Sequence, residues 1–101
     1  MSIAVEFEGS TARITLSGDI DYSIQDEIRK ENSRALAGDH IKEIHVNLAA
    51  VTFLDSSGIR ALLALQKQAS EGDKSVTLLN CNERIREIFS ISGFDRMFTI
   101  L

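Results

Sequence analysis

Residues 51–65 read VTFLDSSGIRALLAL, and the change of pattern inside them decides the fold. Val51 to Leu54 is an apolar strand-like segment, Asp55-Ser56-Ser57-Gly58 interrupts it, and Ile59, Leu62, Leu63 and Leu65 then recur at helical spacing. A strand passing directly into a helix is the repeating unit of an α/β fold, and in open sheets of that class ligands and partners are met at the carboxyl ends of the strands. Asp55 and Ser57 have a structural explanation as helix caps, since a side-chain oxygen there accepts from the free N–H groups of the first turn, worth about 1 kcal/mol. Two successive serines exceed what capping requires, and Gly58 costs about 1 kcal/mol of helix propensity. The expectation is an exposed, sterically open shoulder at Ser56, with the small Gly58 letting another protein's backbone come close.

Upstream, Ile3, Val5 and Phe7 alternate with polar neighbours, and Ala12, Ile14 and Leu16 resume the alternation after Gly9-Ser10, which predicts a two-residue β-hairpin closed by Gly18. Between Tyr22 and Ala37 the spacing of Ile24, Ile28, Ala35 and Leu36 predicts an amphipathic helix. Gly38 and Asp39 end it, and Ile44, Val46 and Leu48 begin a third strand that runs into residues 51–54. Downstream, the second helix ends near Gly72 and Val76 to Leu79 reads as a fourth strand. Asn82 then caps a third helix with an Ile85, Ile88 and Phe89 stripe, which Gly93 stops with Phe94 just beyond it. Met97 to Leu101 is left as a last short strand or an apolar closing segment. No proline, repeat or low-complexity linker divides the chain. The reading is one α/β domain over residues 1–101: a mixed four- to five-stranded sheet, an N-terminal hairpin and three to four helices packed against it.

Composition narrows the function. Fifteen acidic residues against eleven basic ones give a net charge of -4, which opposes binding to nucleic acid and to anionic membranes. There is neither a recognisable secretory signal nor the run of about eighteen apolar residues that a membrane-spanning helix needs, so a cytoplasmic location is expected. The lone Cys81 follows an apolar strand and reads as a buried, inert thiol, with no disulfide and no metal expected. His40 and His45 are distant from Ser56 in sequence, and no nucleophile elbow, dinucleotide fingerprint or phosphate-binding loop is present. No catalysed reaction and no cofactor are expected.

DSSG between an apolar strand and a helix, with LSGDID at residues 16–21 and ISGFDRMF at 91–98, resembles the STAS-domain anti-sigma factor antagonists over essentially the whole chain. The resemblance implies a STAS-like fold and a phosphorylation switch. In that family the serine directly after the aspartate is phosphorylated by an anti-sigma factor that is also a serine kinase, and a protein serine phosphatase reverses the change; by carry-over the phosphoacceptor is Ser56. Asp21 and Asp55 would flank it on the partner-binding surface, with Ser57 and Gly58 completing that surface. ATP and magnesium would belong to the kinase, and a monomer is the expected state. Two positions depart from the common pattern: Arg60 stands where many members have a second glycine, and Asn47 replaces a frequent aspartate. Arg60 faces the positive end of the helix macrodipole, and it lies four residues from Ser56, where it would pair with a phosphate if one helix holds both. A solvated surface arginine is the simpler reading of the same residue.

Two other classes remain open on the sequence. An aspartyl-phosphate enzyme or response-regulator receiver would use Asp55 as nucleophile, but the opening hairpin, the missing acidic pair and the missing late lysine argue against it. A STAS scaffold or transporter-associated module that is never phosphorylated would have the same fold.

Overall fold

The computed structural model describes residues 2–101. β1 (Ser2–Glu8) and β2 (Thr11–Ile20) form the expected hairpin, with Glu8 opposite Thr11 and Gly9 at φ 59°, the positive value that tight hairpin turns require. A 3₁₀ turn (Tyr22–Ile24) leads into α1 (Gln25–Leu36), followed by β3 (Glu43–Leu54), α2 (Ser56–Glu71), β4 (Ser75–Leu79) and α3 (Glu83–Ser92). A second 3₁₀ turn (Phe94–Arg96) and the two-residue β5 (Thr99–Ile100) close the chain, which makes the apolar tail a short strand. The five strands lie in sequence order; β1 is antiparallel to β2, and all later neighbours are parallel. Expected and observed architecture therefore agree, with three α-helices.

Parallel strands laid down in order by right-handed crossovers put every connecting helix on the same side of the sheet. Burial follows that rule. Ala12, Ile14, Leu16, Ile44, Val46, Leu48, Val76 and Leu78 are buried beneath Ile28, Leu62, Leu65, Ile85 and Phe89 of the helices, whereas Arg13 and Thr15 on the other face are exposed and His45 and Asn47 only half-buried. Phe98 anchors the tail by packing its ring 5.8 Å from that of Phe89.

One expectation needs correcting. Gly18 does not close β2; at φ 78° it sits within the strand, beside irregular pairing with β3, and the strand continues to Ile20. The expected stripe holds, with Ile24, Ile28 and Ala35 buried and Leu36 half-buried against the core; Asn32 joins it as a buried polar residue that apolar spacing had no means of marking. Along the expected third strand, Ala49, Ala50, Thr52 and Phe53 are exposed, whereas Val51 and Leu54 are buried.

Candidate functional site

The site begins with the irregular pairing of β2 and β3. Thr15 and Ser17 pair with Asn47 and Ala50, and Gly18 and Asp19 pair with Val51 and Phe53, so β3 gains an extra residue at each of two places. Such bulges rephase a strand and re-aim its end. Here they turn Leu54 inward opposite Ile20, and the Asp55 N–H continues the ladder to the Ile20 carbonyl at 3.2 Å. The two neighbouring strands thus finish together, each followed at once by an aspartate.

Both aspartates are caps. Asp55 Oδ1 accepts from the Gly58 N–H at 3.0 Å, and the Asp55 carbonyl accepts from the Ile59 N–H at 3.0 Å, which starts α2 at Ser56. Asp21 Oδ1 accepts from the Ser23 N–H at 2.9 Å and from the Ser23 hydroxyl, which starts the first 3₁₀ turn. The Ser23 hydroxyl, and after it the Ser23 N–H, hold the Asp21 carboxyl below its ordinary value of 3.8. Gln25 ties the two helix starts together by donating from Nε2 to the Ser57 carbonyl at 3.0 Å.

Ser56 is the first residue of α2 and is exposed; Asp21, Asp55 and Ser57 are half-buried around it, and Arg60 is exposed one turn further along the same helix. Sequence reasoning missed two neighbours, Tyr22 (79% exposed) and Phe53 (43%), large apolar side chains left open at the ends of the same two strands. The only signal for them was position, since Tyr22 follows Asp21 directly and Phe53 lies two residues before Asp55.

Gly58 is the correction. It does not stand open to a partner: it is buried, and a Cβ there would lie 2.5 Å from Leu54 Cδ1. Its smallness lets the first turn of α2 settle onto the ends of β2 and β3.

His45 lies near the start of β3 and Ser56 just past its end, about 30 Å away at ordinary strand rise. Among the described residues no group of three or more His, Cys, Asp or Glu is placed to hold a metal ion, and no helix is long and apolar enough to cross a membrane. Cys81 is buried, and that burial raises its thiol above the ordinary value of 9.0.

A family model described as "Mlab, STAS domain" matches residues 3–101. The chain belongs to the STAS-domain family. A STAS-domain-containing protein of Pseudomonas aeruginosa is 29% identical over 93 residues, covering 92% of this chain and 90% of the relative. The anti-sigma-B factor antagonist of Staphylococcus epidermidis is 37% identical over 51 residues, 50% of this chain and 47% of that protein, so this match spans about half of each. Among solved structures, the anti-sigma factor antagonist SpoIIAA in its unphosphorylated form superposes with a TM-score of 0.78 at 23% identity, covering 99% of this chain and 87% of that one. SpoIIAA of Bacillus in its phosphorylated form gives 0.77 at 25% identity, covering 99% and 91%. Of these similar proteins, the staphylococcal one and SpoIIAA are named as anti-sigma factor antagonists.

Proposed function

We propose that this STAS domain, acting as a single unit over residues 1–101, is a cytoplasmic anti-sigma factor antagonist. Unphosphorylated, it binds an anti-sigma factor that is also a serine kinase and so frees a sigma factor or other output. Phosphorylation of Ser56 blocks that binding, and a protein serine phosphatase restores it. The observation that carries the reading is the position of Ser56: exposed, at the first turn of α2, where β2 and β3 finish side by side between Asp21 and Asp55. Relatives named as anti-sigma-B factor antagonists and the two SpoIIAA forms support it.

The physics of the switch needs no refolding. A phosphate adds about 1.5 to 2 negative charges, and a helix N-terminus tolerates them because its free N–H groups and macrodipole favour an anion. Against an acidic partner group about 4 Å away the repulsion is about 1 kcal/mol per charge pair in water and about 4 kcal/mol at an effective dielectric of 20. About 1.4 kcal/mol is tenfold in affinity, so one phosphate suffices to release the partner.

The test is incubation with the cognate serine-kinase anti-sigma factor and ATP, followed by intact-mass measurement of the wild type and Ser56→Ala. One added phosphate on the wild type and none on the variant is the expected result. If neither chain gains phosphate while both bind the partner equally, the domain is an unphosphorylated scaffold instead.

A further inference from the structure

α1 and α2 follow neighbouring parallel strands, so both begin at the Ser56 edge of the sheet and run side by side away from it. Between them lies an open groove of about 200 Å³, walled by Gln25, Arg29 and Asn32 of α1 and by Arg60, Ala64 and Gln68 of α2. Arg60, Ala64 and Gln68 are four residues apart, one row along the helix, and Ser56 is the preceding member of that row. The groove therefore opens where the phosphoacceptor sits.

Its charge is opposite to that of the chain. The protein carries a net charge of -4, yet both charged groups of the groove are arginines. Among the described residues Arg60 has no acidic group within ion-pair distance, and Arg29 has only Asp26, at 3.7 Å on the open surface, where such a pair is worth at most about 1 kcal/mol. Asp55, the N-cap of α2, offsets the positive end of that helix, so the positive charge of the groove is that of its two arginines. Asn32 brings a buried side-chain amide, 7% exposed, to the wall, and Ala64 leaves room beside it for an apolar side chain. A narrow, amphipathic, cationic groove in an otherwise acidic protein complements a peptide segment bearing carboxylates.

The geometry points to the α1–α2 groove as the docking site for an acidic segment of the protein partner that covers Ser56, with Arg29 and Arg60 pairing with its carboxylates. The identity of that partner rests on the function proposed above; the groove and its charge do not. A phosphate on Ser56 competes for Arg60 from one turn away and so closes the mouth of the groove as well as blocking the shoulder.

The experiment titrates the ¹⁵N-labelled full chain with the blocked peptide acetyl-Glu-Glu-Leu-Glu-Glu-amide at low ionic strength and follows amide shifts. The proteins are the wild type, Arg60→Glu, Arg29→Glu, a control Lys67→Glu at an exposed α2 position outside the groove, and a chain with phosphoserine incorporated at position 56 during translation. The expected result is saturable shifts in residues 25–32 and 60–68. Affinity should fall about tenfold in either arginine variant and in the phosphoserine chain, but change no more than about twofold in the control. Absence of saturable shifts overturns the inference, as do shifts centred elsewhere or an equal loss in the Lys67→Glu control. Equal displacement by inorganic phosphate would make the groove a small-anion site and also overturn it. No kinase enters this titration, so peptide binding without Ser56 labelling would sink the switch and spare the groove, while labelling without peptide binding would do the reverse.

Discussion

The Ile20 carbonyl oxygen and Ile20 Cγ2 lie 3.1 Å and 3.0 Å from where a Cβ on Gly58 would be, in addition to the crowding against Leu54. Ile20 and Leu54 are themselves buried, and a backbone carbonyl does not move aside as a side-chain tip does. Alanine would gain up to about 1 kcal/mol of helix propensity. Overpacking costs about 1 to 3 kcal/mol and wins. Gly58→Ala should therefore lower the urea midpoint, by about 1 kcal/mol of stability net; an unchanged or raised midpoint would show that the first turn has more room than its neighbours leave it. Asp21 is governed by hydrogen bonding instead. Its folded pKa lies below 3.8, so its contribution to stability is present above that value and is lost as pH falls through the folded pKa. Ser23→Ala deletes the hydroxyl donor, the larger cause, and leaves the backbone N–H, so the Asp21 titration should move up toward 3.8 in a carboxyl carbon-13 experiment. No movement would mean that the backbone bond alone holds the carboxylate.

Helix ends and turns were the legible elements, because each rests on one residue's own chemistry. The Gly9-Ser10 turn, the Asn82 cap and the Gly93 stop at φ 79° all follow from side chains that satisfy, or glycines that adopt, what the local backbone demands. Asn82 does more than cap: Oδ1 accepts from the Ile85 N–H at 2.9 Å while Nδ2 donates to the Val51 carbonyl at 3.1 Å, which fastens α3 to the bulged part of β3. Asn82→Ala should cost about 1 to 2 kcal/mol and lower Tm by several degrees in calorimetry, with Asn82→Asp, which keeps the acceptor and loses the donor, falling in between. Equal losses for the two variants would place the whole effect in the tie to Val51. What sequence could not convey was every feature that depends on two elements at once. The bulges of β3 exist only relative to β2, so the exposure of Ala49, Ala50 and Phe53 could not be read from the chain alone. Gly58 looked like an opening because Ile20 and Leu54, which fill its surroundings, are remote from one another in the chain. Arg60 is the exposed arginine that was expected, but the groove it borders was not legible, because α1, which supplies the other wall, lies some thirty residues earlier. The DSSG shoulder itself was legible, since the strand, the cap and the exposed serine are consecutive.

At the scale of the molecule, the arrangement separates Ser56 from the core. The interior is formed by one sheet face and the inner stripes of three helices, and it is closed on the far side from Ser56 by Lys74, whose Nζ donates to the carbonyls of Gly38 at 3.1 Å and Ile41 at 2.9 Å. Ser56 itself is exposed, whereas Gly58 is buried against Ile20 and Leu54 and the Ser57 carbonyl is held by Gln25. A phosphate there adds charge at a helix N-terminus, a favourable place for an anion, and displaces no buried group. The phosphorylated protein should accordingly keep its fold. Amide shifts on phosphorylation should be confined to the first two turns of α2, the segment around Asp21 and Tyr22, and the start of α1, and the melting temperature should change by no more than a few degrees. Shifts spreading through β4 and α3, or a drop in Tm beyond about 10 °C, would mean that release works by loosening the whole domain and not by a charge placed on its surface.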